Sequence, residues 1–416
     1  MAEDLKKAYR TVMDDPFPAD LEVSYGRGED RQTLIYEKVS WVVDGVDKGL
    51  RYGENPGQPA ALYRLVNGNL VIGDVRCVEP GQGLVTAAEL HQFGKHPGKI
   101  NLTDADNALN ILRYLPPERP AVTIMKHNNP CGAALGETLA EAYVRADLAD
   151  RVAAFGGCIA CNRPVDTTTA EEIAGRYAEV VVAPGFEPGV VDILARRKNL
   201  RIMEIKAMER LGDYAASRVV DFKSLIDGGL VLQLSYVPEL DRERWRLAAA
   251  ERDGQQVRVE REPTAAEWDD MRFGWAVEAG VTSNSVIYVK DGVTVGIGTG
   301  EQDRVGVAEI ARDKAYRKLA DRLCFERWSK AYNALDDADQ RAEIDAAVAE
   351  SRGGLPGASM ISDAFFPFRD GVDVGLRQGV TAVLQAGGSL NDHQAIQAVN
   401  EAGATMVFTA QRSFKH

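Results

Sequence analysis

Short apolar runs alternate with longer amphipathic stretches along the chain, a pattern that predicts strands alternating with helices. Residues 121–125 and Val180–Ala183 are apolar, β-branched runs of strand length, and the second run ends at a Pro-Gly turn. Acidic or Thr-rich starts and a helical spacing of apolar residues predict helices over 104–114, 137–148 and 168–177.

The second half of the chain continues this alternation. Two β-branched runs, 285–289 and 294–298, flank an Asp-Gly pair, which predicts a hairpin. Residues 304–352 have a helical pattern with an Asp-rich break, and strands at 382–385 and 405–409 enclose one more helix. The pattern therefore predicts an α/β fold, and a Gly-rich strand end beside polar residues in each half favours two related lobes.

Domain boundaries follow from shifts in composition. Residues 1–47 are charged and irregular, and we expect an N-terminal extension with one strand over 34–43. Residues 48–215 and 216–416 are the expected first and second lobes. The highly charged stretch 235–265 is interpreted as a surface excursion.

Composition limits the class of protein and of partner. The chain has 416 residues, of which 45% are hydrophobic and 27% charged, as in soluble globular proteins. A net charge of −13 disfavours nucleic acid and anionic membranes as partners. We expect a cytoplasmic protein, because the N-terminus is charged, no apolar run is long enough to span a membrane, and five Cys suit a reducing compartment.

The most informative motif is Lys126-His127, which follows a predicted buried strand and precedes an Asn-Asn-Pro turn. Strand ends in α/β sheets are where ligands and chemistry collect. An imidazole is a competent base near neutral pH, and a neighbouring ammonium can stabilise a developing oxyanion. A turn histidine bonded only to backbone remains an alternative.

Three other segments contain candidate binding chemistry. Gly296-x-Gly298-x-Gly300 leads to Arg304, but the spacing is not that of a dinucleotide fingerprint, and a tight strand-to-helix turn explains the glycines equally well. Residues 362–370 combine three aromatics with two Asp and can form a pocket wall for a planar heterocycle. Two arginines, one near each end of the chain, could each hold a phosphate: Arg51 and Arg412.

A CxxC pair, Cys158 and Cys161, raises the question of zinc. Together with His127 and Cys131 it could imitate a zinc deaminase. That signature requires H-x-E and P-C-x-x-C, and neither is present. We therefore expect no zinc.

Seven motifs, in order from about residue 48 to residue 416, resemble the AICAR transformylase part of the bifunctional purine-biosynthesis enzymes that also carry IMP cyclohydrolase. They are 51–56, 126–132, 154–157, 283–285, the glycine turn ending at Arg304, 362–370 and 412–416. The resemblance implies two cytidine-deaminase-like α/β lobes without the zinc, with a short helical insertion at about 316–352, in a homodimer whose site draws on both chains. It also implies transfer of the formyl group of 10-formyltetrahydrofolate to the 5-amino group of AICAR ribonucleotide.

The resemblance also assigns roles to individual residues. It implies that His127 accepts the proton and Lys126 stabilises the transition state, with Asn284 also in the catalytic site. The implied nucleotide contacts are Arg51, Tyr52, Gly156, Glu179, Arg304, Phe365 and Arg412. The residues implied to face the folate are Val305 and Asp370. A monovalent cation such as potassium is implied near Ser283, Asp363 and His416.

The chain also departs from the family pattern. Only about 47 residues precede the first motif, so the resemblance implies a chain without the cyclohydrolase domain that releases formyl-AICAR ribonucleotide. The alternatives are a zinc-dependent nucleotide deaminase and a non-catalytic AICAR sensor.

Overall fold

A computed structural model describes residues 15–43, 45–55, 58–78, 83–91 and 96–416. Two compact units make up the chain: residues 1–109 with 158–237, and residues 110–157 with 238–416. The lobe boundaries expected from the sequence, after residues 47 and 215, stay a prediction.

The regular elements of the described residues are short strands and ten α-helices. The strands are β1 (Asp20–Tyr25), β2 (Gln32–Lys38), β3 (Trp41–Val43), β4 (Val46–Lys48), β5 (Tyr63–Asn67), β6 (Leu70–Ile72), β7 (Val75–Val78), β8 (Glu89–Leu90), β9 (Ala121–Lys126), β10 (Asn129–Leu135), β11 (Cys158–Cys161), β12 (Val180–Ala183), β13 (Arg201–Glu204), β14 (Val220–Ser224), β15 (Leu230–Leu234), β16 (Arg246–Leu247), β17 (Ala249–Arg252), β18 (Gln255–Arg258), β19 (Val286–Lys290), β20 (Val293–Gly298), β21 (Ser359–Ser362), β22 (Ala382–Gln385) and β23 (Thr405–Phe408). The helices are α1 (Lys99–Leu112), α2 (Leu139–Ala149), α3 (Arg151–Ala154), α4 (Thr167–Ala174), α5 (Val190–Ala195), α6 (Ala265–Glu278), α7 (Arg304–Trp328), α8 (Ala338–Glu350), α9 (Arg369–Leu376) and α10 (Asp392–Glu401).

The first unit is built on parallel strands β11, β12 and β13, with β8 antiparallel to β13. Strands β11 and β12 are buried throughout, which explains their uninterrupted apolar sequences. Strands β1, β2 and β5 form a separate antiparallel sheet, and β14 pairs with β15 in an exposed hairpin.

In the second unit the strand order is β16-β23-β22-β21-β19-β20-β10-β9. Strands β21, β22 and β23 are parallel, while β19, β20, β10 and β9 are joined by antiparallel pairing. The core includes the fully buried side chains of Trp275, Tyr288 and Phe366. This unit contains both Lys126 and Asn284, so most of the candidate site belongs to one compact body.

Several sequence predictions are confirmed. The chain is α/β, and the Asp-Gly pair turns the β19–β20 hairpin, with φ of 54° at Asp291 and 67° at Gly292. Helices α7 and α8 are separate, as the Asp-rich break indicates, and β22, α10 and β23 form the expected βαβ unit. The cytidine-deaminase-like character of the lobes stays a prediction.

Other predictions were wrong in detail. Helix α1 starts at Lys99 rather than residue 104, because its first turns carry the buried polar residues Asn101 and Asp104, which hide the helical period. Helix α4 is capped by Asp166, which accepts from the Thr169 N–H, rather than by a threonine.

The two segments expected to be irregular also contain strands. Residues 20–48 hold four strands rather than one, and residues 1–14 of the expected extension lie outside the described residues. The stretch 235–265 holds β16, β17 and β18, whose largely exposed side chains explain its polar composition. No helix in the described part of the chain is both long enough and apolar enough to cross a membrane.

Candidate functional site

Lys126 and His127 lie at the tip of the β9–β10 hairpin. Lys126 pairs with Asn129 across the turn, and the two central residues, His127 and Asn128, have φ of 55° and 61°. A two-residue hairpin loop favours a turn with two left-handed residues, because its twist matches that of the strands. The exposed His127 ring is therefore held out from the sheet by the geometry of the turn.

Lys126 is half-buried, and its position is defined by a hydrogen bond. Its ammonium donates to the Phe155 carbonyl oxygen at 2.8 Å. Gly156, which follows in the chain, has φ of 79°, a conformation that glycine adopts without steric cost. The Ala-Phe-Gly-Gly motif thus supplies an acceptor that orients the cation beside His127.

The hairpin turn is fastened to two other segments of the same unit. The Asn129 side-chain oxygen accepts from the Thr282 N–H at 2.9 Å and from the Thr299 hydroxyl at 3.1 Å. The Lys415 ammonium donates to the Asn128 carbonyl at 2.9 Å. These bonds bring the Lys126-His127 turn together with the segment that leads into Ser283 and with the end of the chain.

Arg304 organises the second group of predicted residues. It begins helix α7 and is only 8% exposed. Its guanidinium donates to the Asn284 side-chain oxygen at 2.9 Å, the Ser285 carbonyl at 3.0 Å and the Ser362 hydroxyl at 3.1 Å, and it forms an ion pair with the fully buried Asp363. Arg304 therefore fixes the side chain of Asn284, which also donates to the Gln302 carbonyl.

A carboxyl group that sequence reasoning missed lies beside this ion pair. Glu278, the last residue of α6, is completely buried. Burial raises its pKa well above the usual range, and the neighbouring Asp363 carboxylate raises it further, while Arg304 and hydrogen bonding oppose the shift. Glu278 is therefore a neutral acid at pH 7. An isolated acidic residue in a mostly apolar helix was the only signal for it in the sequence.

The C-terminal segment is held in place by main-chain hydrogen bonds. The Ser413 N–H donates to the Asp363 carbonyl at 2.8 Å, and the Ser283 N–H donates to the Lys415 carbonyl at 2.9 Å. The Arg412 guanidinium lies 5.4 Å from the centre of the Phe365 ring. This segment is therefore an ordered part of the site, and the expectation of a solvated tail is wrong.

The neighbouring predicted residues are placed as follows. His416, at the end of the chain, packs its ring 5.9 Å from that of Phe414. Val305 packs against the core cluster of the second unit. Asp370 lies in the first turn of α9 and accepts from the Gly371 N–H at 2.9 Å. The described contacts of Val305 and Asp370 are local, and their proposed role toward folate stays untested.

The alternating glycines serve close packing. A Cβ atom on Gly296 would lie 2.3 Å from the Ala311 carbonyl oxygen, and one on Gly298 would lie 2.2 Å from that of Val307. Strand β20 thus approaches helix α7 so closely that only glycine fits. Between the two explanations that the sequence left open, the structure supports the strand-to-helix packing.

A cavity of about 280 Å³ opens beside Lys126 and His127 in the second unit. Its walls include Val295 and Ile297 on one side and the α7 lysines Lys314 and Lys318 on the other. Burial lowers the pKa of Lys314, an effect that Asp150 partly offsets. The cavity therefore combines apolar walls with positive charge.

The first unit contains the remaining predicted nucleotide contacts. Arg51 is 8% exposed, and its guanidinium lies 4.6 Å from the Tyr52 ring centre and donates to the Tyr52 hydroxyl at 2.9 Å. His96 is buried nearby, and burial together with Arg51, Lys48 and Arg201 lowers its pKa to about 4. The concentration of cations keeps this imidazole neutral at pH 7.

Glu179 belongs to the same unit and has two partners that sequence reasoning missed. It accepts from the Asn101 amide at 3.2 Å and from the buried Arg201 guanidinium at 3.4 Å. Burial lowers the pKa of Arg201, and the Glu179 carboxylate offsets part of that shift. Arg201 lies within an apolar strand, where a buried arginine was the available signal.

The cysteines do not form the ligand set that a zinc deaminase requires. Cys158 and Cys161 are buried in β11, and burial raises the pKa of Cys161 to about 12, which disfavours the thiolate that binds metal. Within the described ranges, one group of three potential ligands lies close together, namely Glu89, His91 and Glu204. It contains no cysteine, and Lys206 occupies Glu89 through an ion pair at 2.9 Å.

Comparison with known proteins identifies the family. The bifunctional purine biosynthesis protein PurH of Roseobacter denitrificans is 38% identical over 368 residues, and that of Cereibacter sphaeroides is 39% identical over 368 residues. The match covers 88% of this chain and 59% of each relative, so the chain spans about three-fifths of the length of these relatives. The sequence profile of the AICARFT/IMPCHase bienzyme family matches residues 25–314, and the chain therefore belongs to that family.

Proposed function

We propose that this chain is a phosphoribosylaminoimidazolecarboxamide formyltransferase of purine biosynthesis. Its substrates are AICAR ribonucleotide and 10-formyltetrahydrofolate, and its product is formyl-AICAR ribonucleotide. Membership of the AICARFT/IMPCHase family supports this proposal. The observation that carries it is the Lys126-His127 turn, which hydrogen bonds join to the segments of Asn284 and of the chain end.

The chemistry requires a base and a cation at one atom. The exocyclic amine of AICAR is a poor nucleophile, because its lone pair is delocalised into the ring and the carboxamide. His127 removes its proton during attack on the formyl carbon, and general base catalysis of this kind contributes about 10²–10⁴-fold. Lys126 offsets the oxyanion of the tetrahedral intermediate. The rest of the acceleration comes from holding two large substrates in register.

Residues of both units bind the nucleotide in this proposal. In the first unit the contacts are Arg51, Tyr52 and Glu179, and Asn101 and Arg201 orient Glu179. In the second unit they are Gly156, Arg304, Phe365 and Arg412. Val305 and Asp370 face the folate.

Assembly and ions complete the proposal. The chain acts in the cytoplasm as a homodimer whose site draws on both copies. A potassium ion binds near Ser283, Asp363 and His416, where buried oxygen atoms are concentrated. Zinc takes no part.

The test is folate-dependent consumption of AICAR by the purified chain and by His127→Ala. We expect turnover in the wild type, and in the variant a loss of turnover with nucleotide affinity preserved. His393→Ala removes a histidine of helix α10 and serves as the matched control. A loss of nucleotide affinity greater than about tenfold in His127→Ala would make His127 mainly a ligand contact.

The same preparation distinguishes the alternatives. Nucleotide binding by the wild type without turnover would refute the transferase and favour a sensor. Stoichiometric zinc together with release of ammonia would favour a deaminase.

A further inference from the structure

The Phe155 carbonyl that orients Lys126 is attached to a single helical turn, α3. The turn is closed by Asp150, whose side chain accepts from the Ala153 N–H at 2.9 Å and whose carbonyl accepts from the Ala154 N–H at 2.9 Å. A helix of four residues has almost no stability of its own. Its position must therefore come from whatever it packs against.

Helix α7 supplies that support at positions on one of its faces. The Lys318 ammonium forms an ion pair with Asp150 at 2.7 Å. Asp321 binds the Arg151 guanidinium through two hydrogen bonds of 3.0 Å. The same guanidinium lies 4.4 Å from the centre of the Phe325 ring. Steps of three and four residues place these side chains in a line along the helix.

These contacts are shielded from water, which gives them more weight than surface ion pairs. The side chains of Lys318 and Asp150 are 18% and 9% exposed, and those of Arg151 and Asp321 are 18% and 7% exposed. Exposed ion pairs typically contribute little, whereas partly buried pairs fix geometry because an unpaired charge would be costly there. The α3 turn is therefore held rigidly on α7.

We propose that Asp150 and Lys318 are positioning residues for the proposed formyl transfer. Together they hold the α3 turn so that the Phe155 carbonyl keeps the Lys126 ammonium at the reacting atoms. The inference rests on the proposed function, because it assigns these residues to a step of that reaction. Neither Asp150 nor Lys318 needs to touch a substrate in order to act in this way.

The kinetic test compares Lys318→Met and Asp150→Asn with the wild type. We expect kcat to fall about 10- to 100-fold, since displacements near 1 Å in a catalytic site have effects of this size. The KM for AICAR and the melting temperature should stay unchanged, and Lys318→Arg should restore most of kcat. Arg322→Met, which removes an exposed pair with Glu326 on the same helix, is the matched control.

A double variant separates positioning from general damage to the fold. If Lys318 acts through Lys126, Lys318→Met should have little further effect in a Lys126→Met background. An undiminished effect in that background, an equal loss in Arg322→Met, or kcat within twofold of wild type in both test variants would overturn the proposal. If Lys318→Met does not fold, Asp150→Asn carries the test alone, because its amide oxygen can still cap the turn.

Hydrogen exchange gives a readout that does not depend on activity. Amides of residues 150–157 should exchange faster in Lys318→Met than in the wild type or in Arg322→Met. Unchanged exchange there would refute the support of α3 by α7. A wild type without formyl transfer but with the expected exchange pattern would instead refute the proposed function.

Discussion

Glu278 offers a direct test of the electrostatics beneath the candidate site. It is completely buried next to Asp363, and its pKa lies well above the ordinary value of 4.5. In the unfolded chain the same group ionises above that value. Between the two pKa values the unfolded state binds fewer protons than the folded state, so the free energy of unfolding falls as the pH rises.

The magnitude follows from the linkage relation. One group that keeps its proton only in the folded state costs about 1.4 kcal/mol of stability for each pH unit. Glu278→Gln has a nearly identical shape and no proton to lose. We therefore expect the variant to gain about 1.4 kcal/mol on the wild type between about pH 5.5 and pH 6.5, and to be the more stable protein at pH 7.

The assay is urea unfolding of both proteins across this pH range. Glu260→Gln, at an exposed position, is the control and should give no pH-dependent difference. A constant difference between wild type and Glu278→Gln would show that Glu278 is ionised in the folded protein. Its charge would then have to be balanced by Arg304 or by a bound cation, and the neutral state assigned to this carboxyl group would be wrong.

Three further predictions concern the packing and charges of the site. Arg304→Met should lower the free energy of unfolding by about 3–5 kcal/mol, because it leaves the Asp363 carboxylate buried and unpaired; a loss below about 1 kcal/mol in denaturant unfolding would contradict this. Gly296→Ala should cost about 1–3 kcal/mol in the same assay, because its methyl group meets a main-chain carbonyl of α7, whereas Gly212→Ala, with open space around it, should cost far less. Arg412→Ala should weaken binding of AICAR more than binding of folate in calorimetry, and equal effects would undercut its phosphate role.

The sequence was most informative where local chemistry decides the structure. The Asp-Gly pair of the β19–β20 hairpin demands left-handed residues, and the Asn-Asn-Pro segment after His127 indicated a turn at a strand end. Both features need only a few consecutive residues. The motif resemblance added roles for residues such as Arg51 and Phe365, which no periodicity could supply.

The missed features all depend on residues that are distant in sequence. The Lys415 ammonium reaches Asn128, which lies 287 positions away, and Asn101 reaches Glu179. Glu278 became notable only when the fold placed Asp363 beside it. A single sequence carries no record of such pairings, since they arise from tertiary packing rather than from local propensity.

The arginines proposed to bind the nucleotide differ in how much charge they still have to offer. Arg304 is already neutralised by Asp363, so its main effect is to fix Asn284. In contrast, Arg51 and Arg201 each have a buried Nε–H without a hydrogen-bond partner in the described ranges of the chain. Unsatisfied buried donors are costly, and they are retained where a ligand can satisfy them. We therefore expect the dianionic phosphate to be held mainly by Arg51 and Arg201, while Arg304 acts on the base through Asn284.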